Sequence, residues 1–500
     1  MFVVFLWDSE NKCVICMLVV FDSIVLIYFI VYSSIHDLLS IEFMNQYLLP
    51  VLFLGFMSIS ALSQTTKDTT TLQSVLRNGK VSGHIRNFLM ATDNAAGLND
   101  AYANGFGVGI GYESAPYHNF QVGISGFFMV NIFSSDLSLI DSATFAPNRY
   151  EIGLFDVQNA RNTVLNRLEN FYLKYSLDKF TLKIGKQLIK TPFINPQDGR
   201  LAPTMVEAAL FEWKNAVTKV EGGWINKISP RGTLTWFPVA NSIGIYPRGF
   251  APNGSRSGYV GNLSSAGVFY TGITHDITPH YTFQAWDFYV ENIFNSVLFQ
   301  FNSEKPSGAN GAKITTGLQF IMQNAINNGG NSEPQKAYLP QGNTAYTISG
   351  NIGYSFSTPW KVELNYTHIT SDGRYLMPRE WGRDPFFTFT PREKNDGFGG
   401  VDAINGAISH DFGNGFNAEI KYGHFYMPDV KNTVLNKYAL PSYNHCNINL
   451  QYEFSGFLRG LNMQILFVYK GLLGNSYGDD FNLYNKVTMA HYEFVTNYHF

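Results

Sequence analysis

The chain has 500 residues, of which only 15% are charged and 16% are aromatic, and its formal net charge is −3. Soluble domains average about 25% charged residues, so this composition argues against an ordinary soluble globule. A mean hydropathy of −0.07 argues equally against a bundle of membrane helices. The sequence contains no polybasic block, which makes nucleic acid an improbable partner.

The N-terminal region contains a pattern typical of a secretory signal peptide. Met44 starts a stretch with a short apolar core, and the small residues Ala61 and Ser63 occupy the two positions that determine cleavage. This pattern predicts a signal peptide over residues 44–63, cut after Ser63. Residues 64–78 are then expected to form a short periplasmic leader.

Residues 1–43 are interpreted as an upstream-extended start that is not part of the mature protein. The stretch from Cys13 to Tyr32 is apolar except for Asp22 and Ser23, so a transmembrane anchor is the alternative. Removing residues 1–63 takes away five acids and one base, which changes the net charge from −3 to +1. The CxxC formed by Cys13 and Cys16 has no companion pair, and we expect no metal site there.

Apolar and polar residues alternate along the whole mature chain. Around 359–368, one face carries Trp360, Val362, Leu364 and Tyr366, and the other carries Lys361, Glu363, Asn365 and Thr367. Successive side chains of a strand point to opposite faces. Because a soluble sandwich has no reason to end its apolar faces in aromatics, the pattern predicts an all-β, transmembrane antiparallel β-barrel over residues 79–500.

About eighteen strands can be counted, an even number, although sixteen remain possible. The segments at 279–290 and 292–302 are the least certain, and 217–228 alternates poorly. The connections mostly alternate between tight turns and long loops. Fewer than twenty residues separate the predicted cleavage site from the first strand, which leaves no room for a plug domain. We therefore expect loops to narrow the pore.

The last nine residues indicate the membrane in which the barrel lies. Tyr492, Phe494, Tyr498 and Phe500 share one strand face, and the chain stops on an aromatic. This ending is typical of barrels in the bacterial outer membrane, where the closing strand keeps an apolar face in lipid. The predicted partners are outer-membrane lipid and, through the C-terminal strand ending in Phe500, the barrel-assembly machinery.

Two loops carry unusual chemistry. In 190–203, three prolines accompany Asp198 and Arg200, and either the loop forms an eyelet with Arg200 as the cation, or the Asp–Arg pair pins the loop to the wall. In 379–393, four aromatics accompany Arg379, Arg383 and Arg392. These arginines predict a cationic track for carboxylates, because guanidinium binds carboxylates bidentately. A charge-compensated lid without solute contact is the alternative.

Further candidates lie on the inner faces of predicted strands: Lys80, His84 and Arg86 in the first strand, and Lys183, Lys361 and Lys421 elsewhere, with Glu363 and Glu419 beside the last two. Cations and anions that face each other across a lumen create a transverse field that orients dipolar solutes. The same residues also arise simply from lining a water-filled interior with polar groups.

The sequence resembles the OprD family of substrate-specific outer-membrane porins. The similarity rests on Phe171-Tyr172-Leu173-Lys174-Tyr175, Leu182-Lys183-Ile184-Gly185-Lys186-Gln187, Thr191-Pro192, Asp198-Gly199-Arg200, Pro203 and Gly456-Phe457-Leu458-Arg459-Gly460-Leu461. It extends over roughly 72–500. The resemblance implies an eighteen-stranded monomeric barrel with a loop-built eyelet and an arginine ladder. A strand-borne arginine ladder is not visible, since several inward cations are lysines.

These observations favour a porin for passive, selective diffusion of small hydrophilic solutes such as amino acids or other small carboxylates. No cofactor, metal or catalytic residue is predicted, because no GxSxG or HExxH motif occurs. The alternatives are an outer-membrane barrel enzyme such as a lipase, for which His275, His280 and His410 lack an evident partner, and a structural or adhesive barrel without conductance. The oligomeric state, monomer or trimer, stays open.

Overall fold

The computed structural model describes the backbone of residues 2–7, 13–21 and 24–31 and, in full, residues 71–196, 200–246, 249–308 and 311–500. The N-terminal unit, Met1–Lys67, contains an antiparallel sheet of Phe2–Trp7, Cys13–Phe21 and Ile24–Val31. The predicted signal peptide, 44–63, and residues 64–70 of the predicted leader lie outside the described residues. The interpretation of 1–43 as an upstream-extended start therefore stays a prediction.

Within the described part of the second unit, Asp68–Phe500, eighteen strands form a closed barrel. They are β1 Lys80–Asp93, β2 Ala101–Glu113, β3 Phe120–Ser134, β4 Val164–Leu177, β5 Phe180–Gln187, β6 Met205–Lys214, β7 Thr218–Ser229, β8 Val268–Thr278, β9 Tyr281–Val290, β10 Phe294–Pro306, β11 Lys313–Ala325, β12 Thr344–Ser355, β13 Trp360–Ile369, β14 Val401–Gly413, β15 Phe416–Tyr426, β16 Tyr443–Glu453, β17 Leu461–Leu472 and β18 Met489–His499. Each strand pairs antiparallel with the next.

The predicted strand number is therefore confirmed, including the least certain strands. The segment expected at 279–290 corresponds to β9, the one at 292–302 overlaps β10, and the poorly alternating 217–228 corresponds to β7. A β-bulge between Ile225 and Lys227 shifts the register of β7 against β6. A bulge changes the face of every later residue, which explains the poor alternation there.

Outside the eighteen strands, the structure contains a two-residue strand and several short helices. Phe237–Pro238 pairs with the end of β7. Helix α1 spans Leu72–Arg77, and Tyr112 of β2 donates a hydrogen bond of 2.6 Å to the Leu76 carbonyl. The 3₁₀ turns are Glu151–Leu154, Val239–Ser242, Pro334–Lys336, Arg379–Trp381, Gly456–Leu458 and Asp480–Asn482. Among the described residues, no helix combines the length and apolar character needed to traverse a membrane.

The outer face of the barrel is apolar and the inner face is polar, as the alternation predicts. In β13, Trp360, Leu364 and Tyr366 are exposed, whereas Asn365 and Thr367 are buried inside. Exposed aromatic and aliphatic side chains on a closed antiparallel barrel form the surface that hydrocarbon requires. The fold therefore has the apolar exterior of a membrane-spanning barrel.

The last strand closes the barrel against the first. β18 pairs with β1 from Ala490 opposite Asp93 to His499 opposite His84. Gly83 and Phe500 exchange backbone hydrogen bonds of 2.9 and 3.0 Å just beyond this ladder. Closure leaves no unpaired edge in the membrane, where an unsatisfied backbone group costs several kcal/mol.

The connections differ in length at the two ends of the barrel. One end has short turns, such as 178–179, 215–217 and 414–415, and we call it the short-turn end. The other end has long connections, of which 230–267 and 370–400 are the largest, and we call it the long-loop end. The main apolar cluster lies inside the barrel, and it joins loop side chains such as Phe193, Tyr375, Trp381 and Phe398 to wall residues such as Phe288 and Ile321. Loops therefore narrow the interior, as the sequence led us to expect.

Candidate functional site: a loop-lined channel interior

One loop crosses the interior against the inner wall, and we call residues 370–400 the crossing loop. Its segment 385–393 contacts six strands, which lie between β11 and β18, through polar groups. The pairs are Pro385 with Gln319 of β11 at 3.1 Å, Phe387 with Ser349 of β12 at 3.2 Å, Thr388 with Thr367 of β13 and Asn405 of β14 at 2.7 Å each, Pro391 with His445 of β16 at 3.1 Å, and Arg392 with Glu493 of β18. The loop thus follows the wall around almost half of the barrel.

A second loop, residues 188–204, meets the crossing loop inside the barrel. The side-chain oxygen of Asn195 accepts a hydrogen bond of 3.0 Å from the backbone N–H of Arg383. The backbone N–H of Asn195 donates to the Trp381 carbonyl at 3.2 Å, and the Thr204 hydroxyl donates to the Glu380 carbonyl at 2.9 Å. The two loops that carry unusual chemistry in the sequence are therefore in direct contact.

A buried charge cluster anchors the crossing loop. Glu393 accepts hydrogen bonds from Arg149 at 3.1 and 3.3 Å, from Arg379 at 2.9 Å and from Lys470 at 3.1 Å. Arg379 also lies 3.3 Å from an Asp396 carboxylate oxygen. Burying a charge is costly unless it is paired and hydrogen-bonded, and here each charge has an opposite partner.

The pKa values of the loop groups follow from this environment. Burial alone would raise the pKa of Glu393, but the charges of Arg149, Lys470 and Arg379 outweigh it and hold that pKa well below its ordinary value. Asp384 has cationic neighbours too, yet burial and then the charge of Asp396 raise its pKa to about 7. The cluster therefore holds one fully ionised carboxylate and one that is poised to titrate near neutral pH.

A cavity of about 790 Å³, which we call cavity 1, lies between the crossing loop and the short-turn end. Its charged lining groups are Arg86 of β1, Glu169 of β4, Glu493 of β18, and Arg383 and Arg392 of the crossing loop. The guanidinium of Arg383 lies over the Phe389 ring, 5.4 Å from its centroid. The lining thus contains three guanidinium groups and two carboxylates.

A second cavity of about 360 Å³, cavity 2, lies at the short-turn end on the wall of β9 to β15. Lys361 and Glu363 of β13 form an ion pair of 2.8 Å in its lining, and Lys421 of β15 also contributes. Phe387 of the crossing loop forms part of the same lining. The crossing loop therefore borders both cavities.

Several residues predicted from the sequence lie on these cavities. Arg86, Arg383 and Arg392 line cavity 1, and Lys361 and Lys421 line cavity 2. Arg392 is only 6% exposed and is paired with Glu493, whereas Arg383 is exposed. Arg383 is thus the crossing-loop arginine that is most accessible to a solute.

The other predicted residues lie elsewhere. Arg200 is 5% exposed, and its side chain lies close to Gly153. Arg379 is buried in the cluster around Glu393. Lys183 lies over the Tyr172 ring, 3.7 Å from its centroid. Asp198 lies outside the described residues, so its proposed pairing with Arg200 stays a prediction.

The structure also brings together charged residues that the sequence did not single out. Arg167 and Glu169 of β4 form an ion pair of 3.1 Å, and Arg167 also donates to the Pro203 carbonyl at 2.8 Å. His491 lies 2.9 Å from Glu493 in β18. The alternation around Tyr492 already placed residues 491 and 493 on the inner face, so this signal was available in the sequence.

The three histidines that were considered as catalytic residues of a barrel enzyme contact a threonine, a backbone carbonyl and a tryptophan ring. His275 shares a hydrogen bond of 2.9 Å with Thr218, His280 one of 2.9 Å with the Glu304 carbonyl, and the His410 ring packs on Trp360. Among the described residues, no group of three or more His, Cys, Asp and Glu side chains is arranged to hold a metal ion.

The fold and its polar, loop-lined interior define a porin-type β-barrel. No protein-family model matches the chain, and no curated protein does so either. Solved structures do match. OccK9 (OpdG) of Pseudomonas aeruginosa aligns with a TM-score of 0.65 at 14% identity, and OccAB3 of Acinetobacter baumannii with 0.66 at 16%. OpdK of P. aeruginosa, solved with vanillate, aligns with 0.63 at 15%.

Each of these alignments covers 85% of this chain and 99% of the other. At this level of identity, the similarity demonstrates a shared fold. It confirms the eighteen-stranded barrel that the resemblance to the OprD family implied.

Proposed function

We propose that the protein is a channel of the bacterial outer membrane through which small hydrophilic solutes, amino acids or other small carboxylates, diffuse passively and selectively. The apolar exterior would contact outer-membrane lipid, and the closing strand that ends in Phe500 would be the segment read by the barrel-assembly machinery. Short turns lie on the periplasmic side of outer-membrane barrels, so the short-turn end would face the periplasm.

The observation that carries this proposal is the exposed guanidinium of Arg383 in cavity 1. Its backbone is fixed by Asn195, and its side chain rests on the Phe389 ring. A guanidinium carries a fixed positive charge in a planar shape that matches a carboxylate, so an exposed one attracts a solute carboxylate. Because the half-buried Arg86 lines the same cavity, a carboxylate that leaves Arg383 meets a second positive charge.

The carboxylates in the lining of cavity 1 give the electric field inside the cavity a direction. Glu169 and Glu493 lie on β4 and β18, on the same cavity as the three guanidinium groups. Opposite charges along a narrow passage orient a dipolar solute, so a zwitterion gains from both signs. The OpdK structure with vanillate makes an aromatic carboxylate a suitable probe alongside glutamate.

The test is current through single channels in planar lipid bilayers with glutamate or vanillate added. We expect ion conductance that these carboxylates block, and we expect Arg383→Ala to weaken the block about tenfold or more, since a charge-assisted hydrogen bond contributes roughly 1.5–3 kcal/mol. Lys336→Ala, in an exposed pair with Glu333 outside both cavities, is the control. Absence of conductance would contradict the proposal, and an unchanged block in Arg383→Ala would remove this residue from the path.

A further inference from the structure

The inner wall on the side of β10 to β14 carries a group of side-chain amides. Gln319 donates to the side-chain oxygen of Gln300 at 2.8 Å. Asn351 donates to Asn365 at 2.5 Å, and Asn365 donates to Asn405 at 2.9 Å. Asn351, Asn365 and Asn405 thus form a chain of carboxamides across β12, β13 and β14. Gln319, Asn365 and Asn405 are buried, whereas Gln300 and Asn351 are half-buried, so these two keep hydrogen-bonding capacity for the lumen.

Cavity 2 opens on this wall. Asn302, Asn351, Asn365, Thr282 and Thr315 lie in its lining. They supply both donors and acceptors within one cavity. Its volume of about 360 Å³ falls in the range of about 300–1,000 Å³ that is usual for small-molecule sites.

The charges in the lining of cavity 2 balance each other. Lys361 is paired with Glu363 at 2.8 Å. Glu304 and Lys421 supply one further charge of each sign. A balanced lining gives little preference for an ion, whereas the lining of cavity 1 has three guanidinium groups and two carboxylates.

An aromatic ring completes cavity 2. The Phe387 backbone is fixed by the Ser349 hydroxyl at 3.2 Å, and its ring lies directly against Gly317 of β11. A β-carbon at position 317 would overlap the ring, so glycine is what allows this close approach. Phe387 is half-buried, and it therefore presents apolar surface to an otherwise polar cavity.

We infer that cavity 2 is a binding site for an uncharged, polyhydroxylated solute, with a saccharide as the matching chemical class. A sugar ring has apolar C–H faces and hydroxyl edges that both donate and accept. The Phe387 ring matches the apolar C–H face of the sugar, and the carboxamides match its hydroxyl groups. The inference rests on the proposed channel function and adds a second class of solute to it, at a place distinct from the carboxylate path of cavity 1.

The experiment uses glucose and trehalose as probes on the full barrel. Binding is measured on detergent-solubilised protein by saturation-transfer NMR, and block is measured in planar bilayers. We expect both sugars to bind and to reduce the current. Phe387→Leu, which keeps an apolar side chain against Gly317, and Asn302→Ala should each weaken sugar block at least fivefold. Gln451→Ala, which removes a carboxamide from cavity 1 instead, is the matched control and should leave sugar block unchanged.

Vanillate block supplies the internal check that the variants are folded, and it should stay within twofold of wild type in Phe387→Leu and Asn302→Ala. Conductance and vanillate block without sugar binding would overturn the saccharide site and leave the proposed channel intact. Sugar block that Phe387→Leu and Asn302→Ala do not change would overturn the site as well. A barrel with no conductance at all would overturn both proposals.

Discussion

Glu393 accepts two hydrogen bonds from the guanidinium of Arg149, at 3.1 and 3.3 Å, although 244 residues separate the two in the chain. This bidentate pair joins the loop between β3 and β4 to the crossing loop. It also explains why the crossing loop stays inside the barrel, since leaving the wall would separate Glu393 from Arg149 and Lys470 at once.

The first prediction concerns this anchor. Glu393→Gln leaves Arg149, Arg379 and Lys470 without their shared carboxylate. Removing one partner of a buried ion pair costs about 3–5 kcal/mol, because the remaining charges stay buried without compensation. We expect a clear fall in the thermal unfolding midpoint in detergent and an increase in current noise in bilayers.

The control for this anchor is Glu333→Gln. Glu333 forms an exposed pair with Lys336 at 2.8 Å, and exposed pairs contribute about 0–1 kcal/mol. If Glu393→Gln unfolded at the same temperature as Glu333→Gln, the cluster would not be the anchor of the crossing loop.

A second prediction follows from Asp384, whose pKa is raised to about 7 by burial and then by the charge of Asp396. Between about pH 4 and 7, the folded protein holds a proton that the unfolded chain has released. The contribution of Asp384 to the free energy of unfolding is therefore greatest at low pH and is lost as the pH rises through 7.

Asp384→Asn should remove this dependence. We expect the variant to match wild type near pH 4 and to exceed its stability near pH 8 by up to about 4 kcal/mol. Denaturant midpoints at the two pH values measure the difference. An unchanged pH profile would show that Asp384 is ionised throughout.

The third prediction concerns the loop junction at Asn195. Its side-chain oxygen accepts from the backbone N–H of Arg383, but it does not line cavity 1. Asn195→Ala should therefore loosen Arg383 and weaken carboxylate block several-fold without changing ion conductance much. Glutamate titrations of single-channel current measure the effect. A block equal to that of wild type would show that Arg383 is positioned by other contacts.

The fourth prediction concerns closure. Gly83 faces the Phe500 ring so closely that an added methyl group would overlap it. Gly83→Ala should therefore impede pairing of β18 with β1 and reduce the heat-modifiable, folded fraction on electrophoresis. Gly350→Ala is the control, because the nearest atom to its added methyl group, the Gly317 carbonyl oxygen, lies 3.9 Å away. Equal folded fractions in both variants would contradict the importance of this contact.

The sequence alone determined the barrel and the face of most wall residues. The alternation around Trp360 and around Tyr492 needs only the two-residue period of a strand and the polarity of lipid and water. These constraints are local and act on every strand, so the alternation can be recognised in each strand separately. Even β7, whose alternation a bulge disturbs, was recognised.

The tertiary structure alone decided which loop arginines are exposed. From the sequence, Arg200, Arg379 and Arg383 were equivalent candidates, but Arg200 and Arg379 are buried and Arg383 is exposed. The difference arises from pairings such as Arg149 with Glu393, which no local pattern encodes. The conformation of a long loop depends on contacts with distant strands and other loops, so it follows only after the barrel has closed around it.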